Sequence, residues 1–148
     1  MINQVKELKE YTALYHEIDN FFHAISLKIG ISDSAFFVFY TLAQIGEGCL
    51  QKDICEMNMI SKQTVHSAIK KLEKEDMLYI EQGKKEKRIY LIKQGKEFVK
   101  QKILPIVVCE NVVFEEMSEL ERQEIVRITK KYLINFQKKV KLNENSII

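Results

Sequence analysis

DICEMNMISKQTVHSAIKKLEKEDML, residues 53–78, is the stretch whose reading decides the fold. Its centre, Ser61 to Glu75, repeats Val65, Ala68, Ile69 and Leu72 at helical spacing, a stripe that one side of an α-helix buries. Ser61 stands where a helix takes its N-cap. The opposite side carries Lys62, Gln63, Thr64, His66, Ser67, Lys70 and Lys71. Just upstream, QKDICEM (51–57) reads as a short helix with Ile54, Cys55 and Met57 inward. Asn58 is expected to take the left-handed conformation that stops it. The stretch is thus two helices joined by a tight turn.

Downstream the period changes from helical to alternating. Leu78 and Ile80 alternate with Tyr79 and Glu81, and Ile89 and Leu91 with Tyr90 and Ile92. A Lys-rich tip beginning at Gly83 lies between the runs, which predicts a β-hairpin. Upstream, Ser32 caps a helix over 33–45, with Phe36, Phe39, Leu42 and Ala43 inside and Phe37 and Tyr40 flanking. A first helix spans 3–28 and ends at Gly30. After the hairpin the helical period returns over 94–115, where Pro105 is expected to kink or break it. SELE (118–121) is a capping box and opens a last helix to about Val140. Helix, short helix, helix and hairpin in this order make a mainly α fold with a small β-hairpin, a winged helix-turn-helix.

At 148 residues, 46% apolar and 30% charged, the chain is expected to form a single domain, 1–148, with a proper core. The longest apolar runs, AFFVFY (35–40) and ILPIVVC (103–109), fall far short of the roughly 18–20 residues that span a bilayer, so no membrane role is expected. MINQVKELKEY has no apolar signal region, and the expected location is the cytoplasm. The formal charge is only +2, yet residues 61–96 hold ten Lys/Arg against five Asp/Glu, and the other 112 residues sum to −3. One basic patch on a near-neutral chain is the electrostatic footprint of a nucleic-acid binder.

Cys49, Cys55 and Cys109 form no CxxC pair and read as reduced, buried small side chains. His16 and His23 share a helix face, but no clustered Cys/His spacing completes a metal site. No phosphate loop, GxSxG or HExxH occurs, so neither an enzyme nor a cofactor is expected.

The chain resembles the MarR family of bacterial transcription regulators. ISDSAFFVFYTL matches that family's second helix, residues 53–78 its helix-turn-helix, and LIKQG, ILP and MSELE its closing segment. Glu86-Lys87-Arg88 is a near match to the family's Asp-x-Arg wing motif, while Asn58-Met59 replaces its usual apolar-Gly turn.

The resemblance implies a DNA-binding lobe over 32–92 and dimerisation helices over 1–30 and 94–140. It implies a homodimer on double-stranded DNA, repression, and release by a small aromatic or lipophilic effector. The DNA-facing set is Ser61, Lys62, Gln63, Thr64, His66, Ser67, Lys70 and Lys71, with Lys84, Lys85, Lys87 and Arg88 of the wing. Gln suits an adenine edge, and Lys suits phosphate or guanine. The alternatives are a thiol-based redox-sensing DNA binder and a winged-helix module that binds protein.

Overall fold

The computed structural model describes residues 3–83 and 86–140. By their contacts the residues fall into two compact units, Met1–Val107 and Val108–Ile148.

In the first unit, α1 (Lys6–Ile29) ends at Gly30, whose φ of 81° lets the Gly30 and Ile31 amides turn back to the carbonyls of Leu27 and Ser26. Next, α2 (Asp33–Ile45) is capped by Ser32, whose Oγ accepts the Ala35 amide at 3.2 Å. This helix is the axis of the core. It packs against α1, the helix-turn-helix and a later helical turn, and Ala35, Phe36, Val38, Phe39, Tyr40, Thr41 and Leu42 are all buried. Tyr40 therefore sits inside rather than at the flank, and Ala43 is only half-buried. A helix surrounded on most sides has no single inner face for periodicity to reveal.

A two-residue strand, β1 (Cys49–Leu50), precedes α3 (Gln51–Asn58) and α4 (Lys62–Lys74). The wing follows as β2 (Leu78–Gln82) and β3 (Lys87–Leu91). The sheet runs β1-β3-β2, all antiparallel, and pairs Cys49 and Ile80 with Ile89, and Leu78 with Leu91. Leu78, Ile89 and Leu91 are buried, and with Val65, Ala68, Ile69 and Leu72 of α4 and Ile54 of α3 they close the core. Each of these side chains other than Ala68 stabilises the fold by about 1.5–3 kcal/mol.

Two local expectations change at α3. Met59, not Asn58, takes the left-handed conformation, with φ 51° and ψ 38°. Asn58 stays helical because its amide donates to Thr41 Oγ1 at 2.8 Å and to the Ile54 carbonyl at 2.9 Å. Met57, expected inward, is exposed.

Beyond the wing, α5 (Lys93–Phe98) passes into a π-helical segment, Val99–Ile103, and then α6 (Leu104–Glu116), which crosses the division between the units. Pro105 neither breaks nor ends the helix. The Leu104 amide reaches back five residues to Val99, so the wider turn comes just before the residue that lacks a donor. Gly95 fits because α5 lies on the Met77 carbonyl: a Cβ there would fall 1.9 Å from that oxygen.

In the second unit, α7 (Glu119–Lys139) opens with the expected capping box. Glu121 accepts the Ser118 amide and hydroxyl, each at 2.8 Å, and those bonds hold its carboxyl below the usual range. Arg122 donates to the carbonyls of Phe114, Glu115 and Met117 at the end of α6. No helix among the described residues is long and apolar enough to cross a membrane alone; α1 and α2 pass that test only together, bent by 93°.

Candidate nucleic-acid interface

The site starts at the turn between α3 and α4. Ser61 has extended backbone, and its Oγ accepts the Thr64 amide at 3.2 Å and lies 2.8 Å from the Thr64 hydroxyl. The cap settles one of the amides that open α4 and leaves others pointing outward. Gln51 of α3 donates to the Lys62 carbonyl at 3.0 Å, which joins the starts of the two helices. Burial of Val65, Ala68, Ile69 and Leu72 then fixes how α4 is rotated.

That rotation leaves Ser61, Lys62, Gln63, Thr64, His66, Ser67, Lys70 and Lys71 exposed. Among the described residues, the side chains of Gln63, His66 and Ser67 make no internal hydrogen bond. Lys70 pairs with Glu73 at 2.8 Å and Lys71 with Glu75 at 3.8 Å. The Lys70 ammonium holds the Glu73 carboxyl below its ordinary range. Such exposed pairs are worth little and yield readily to a stronger anion.

Two grooves flank α4. One is lined by Gln63, Thr64, Ser67 and Lys71 together with Ser32 and Ser34 at the start of α2. The other lies between α3, the start of α4 and the wing, and brings Lys62 beside Lys52 and Lys87. Sequence reasoning missed Ser32, Ser34 and Lys52 as members of this surface. The signal for Lys52 was its place on the polar side of α3, where it now pairs with Glu56 at 3.6 Å.

On the wing, Lys87 is exposed at the start of β3. Lys84 and Lys85 lie outside the described residues. Arg88 is held from within: its Nη1 donates to the Gly48 carbonyl at 2.9 Å, and its Nη2 lies 3.4 Å from Glu86.

The cysteines do not share one environment. Cys49 is buried, Cys55 half-buried and Cys109 exposed, so the expectation of three buried thiols fails for two. Burial, with Asp53 nearby, pushes the Cys49 thiol up to about 11, so it carries no thiolate at neutral pH. His23 is taken up by Asp33, 2.8 Å away. Among the described residues no three His, Cys, Asp or Glu side chains gather around a common point. The aromatic side chains of α2 form core, with Phe36 stacked on Tyr40 at 5.3 Å and Phe22 of α1 edge-on to Tyr40 at 6.3 Å. Tyr40 alone leaves its buried hydroxyl without a partner among the described residues.

Residues 29–89, which hold the helix-turn-helix and most of the wing, match the MarR family model. No curated protein matches the chain. A MarR family regulator from Neisseria meningitidis has a similar structure, with TM-score 0.73, 22% identity, and coverage of 91% of this chain and 96% of that one. A putative MarR family transcriptional regulator from Listeria monocytogenes, solved with a 26mer DNA, gives 0.65, 18%, 93% and 92%. BpsR of Bordetella bronchiseptica, described as regulated in its DNA binding by 6-hydroxynicotinic acid, gives 0.61, 18%, 83% and 98%. Over residues 29–89 the chain matches the MarR family of transcription regulators, and its winged helix-turn-helix is the fold that the solved regulators of that family share.

Proposed function

We propose that this regulator is a cytoplasmic repressor that binds a pseudo-palindromic operator as a homodimer and leaves it when a small aromatic or lipophilic effector binds. One observation carries the DNA contact: the exposed side of α4 presents Gln63, His66 and Ser67 without internal hydrogen bonds, beside a groove with three lysines. In this reading α4 enters the major groove. Gln63, Thr64 and His66 meet base edges, and Ser61 and Ser67 meet the backbone or bases. Lys62, Lys70 and Lys71 neutralise phosphates, as do Lys87 and the Lys84–Lys85 pair of the wing. The outward amides at the start of α4 add a phosphate site.

The dimer reading rests on apolar surface. Val5 just before α1 and Leu14, Tyr15, Ile18 and Phe21 on it are exposed, as are Leu120, Ile125, Ile128, Leu133 and Phe136 on α7. A second copy covering these faces sets two recognition helices about 34–36 Å apart, one turn of DNA. The effector reading extends to this chain what is described for the Bordetella regulator.

Selection of bound duplexes from a random pool, at stated salt, tests the function. The expected result is an inverted repeat, with log affinity falling steeply against log salt. Gln63→Ala should shift the preferred sequence more than the affinity, with discrimination changed by about 1–3 kcal/mol at one position. Lys84→Ala with Lys85→Ala should weaken every duplex alike and lower the salt slope by about two. No binding to any duplex at about 50 mM salt would sink the reading in favour of a protein-binding module.

A further inference from the structure

Arg88 and Lys87 are neighbours on β3 with opposite circumstances. Lys87 lines the groove shared with Lys62 and Lys52, and among the described residues its ammonium has no ion pair. Arg88 lies on the other side of the strand, opposite Leu50 of β1 and Glu81 of β2. Its guanidinium spans the Gly48 carbonyl and the Glu86 carboxylate.

Gly48 belongs to a turn that β3 grips at several points. The Gly48 amide donates to Ile89 at 2.8 Å, and the Leu91 amide donates to Glu47 at 2.8 Å. The second Glu47 oxygen meets Lys96 at 3.1 Å. The turn runs through Leu50, bonded to Asp53, straight into α3. From α3 the Gln51 contact reaches the first residue of α4. Arg88 is the only side chain among these contacts that joins the wing tip, at Glu86, to the entry of the helix-turn-helix.

We propose that Arg88 is a positioning residue: it clasps the wing to the turn at Gly48 and so sets where the wing lysines fall relative to α4, and it does not touch DNA itself. This rests on the DNA-binding reading. The clasp uses two donors of one planar group at once, which a lysine ammonium on a flexible stem does not reproduce.

The test uses the full chain, sheared mixed-sequence duplex DNA and two measurements. Salt-dependence of binding is compared for the wild type, Arg88→Ala, Arg88→Lys and Lys87→Ala. Amide hydrogen exchange is followed in the same proteins without DNA. A phosphate contact contributes about 0.9 to the salt slope. Lys87→Ala should therefore lower the slope by about one and leave exchange unchanged. Arg88→Ala should weaken binding about tenfold with the slope unchanged, since it loses preorganisation and no phosphate contact. The Gly48 and Leu91 amides should then exchange at least about fivefold faster while those of α2 hold. Arg88→Lys should behave like Arg88→Ala. A slope reduced by about one in Arg88→Ala, or unchanged exchange at Gly48 and Leu91, overturns the proposal. Absence of wild-type binding at about 50 mM salt overturns the DNA reading itself and this role with it. That failure is distinct, because it appears before any variant is compared.

Discussion

Met59 sits in the tight turn between α3 and α4 with left-handed backbone and 91% of its surface exposed. A side chain with a Cβ is strained there by about 1–2 kcal/mol, and nothing packs on the thioether to offset it. Met59→Gly relieves the strain and also gives the unfolded chain more freedom, so the net gain should be a few tenths to about 1 kcal/mol. Thermal denaturation of the two proteins should show a melting temperature a few degrees higher for the variant. An unchanged or lower value would mean that the strain is absent. The residue also shows a limit of sequence reading. Asn58 is the better left-handed residue by chemistry, but its amide is engaged by Thr41, seventeen positions away, and the turn falls one residue later. A contact of that range leaves no local trace.

Among the elements, the ones legible in the sequence were those defined by nearby residues. Ser32, Ser61 and Ser118 cap the helices that their positions announced, and the hairpin follows its alternation. β1 was not legible, because two residues carry no period and its existence depends on pairing with β3. The π-helical segment before Pro105 was equally hidden, since a proline in a helical pattern signals a break unless a wider turn absorbs it. Gly95 carries a testable consequence for α5. The Met77 carbonyl occupies the space of a Cβ, so Gly95→Ala must push α5 off the turn that precedes β2. The cost should be about 2–4 kcal/mol, against the small gain alanine brings to an open helix site. Urea unfolding measures it directly, and a loss below about 0.5 kcal/mol would show that α5 shifts freely. The candidate site was legible as a face of α4, because stripe and face are complementary. The grip on Arg88 was not, since its partner Gly48 is forty positions away.

For the molecule as a whole, the uneven surface is the main fact. Positive charge gathers in residues 61–96, while the exposed apolar side chains gather on α1, on α6 and on α7. Patches of this kind on a monomer mark a protein interface. Sedimentation equilibrium should give twice the monomer mass at micromolar concentration. Leu133→Glu with Phe136→Glu should give a monomer that retains its helical content and binds duplex DNA weakly, with no preference for paired half-sites. A double variant that remains dimeric would move the interface away from this side of α7.

The wing offers one more consequence, an optical one. The chain has no tryptophan and six tyrosines, and two of these, Tyr79 and Tyr90, stack across β2 and β3 with ring centres 5.3 Å apart and planes 17° from parallel. Phenol rings that close couple their electronic transitions, so the wing carries its own chromophore pair in an ultraviolet background free of indole. Near-ultraviolet circular dichroism of the free, unlabelled protein should therefore change when the wing is loosened, and Tyr79→Phe isolates the share that the pair contributes.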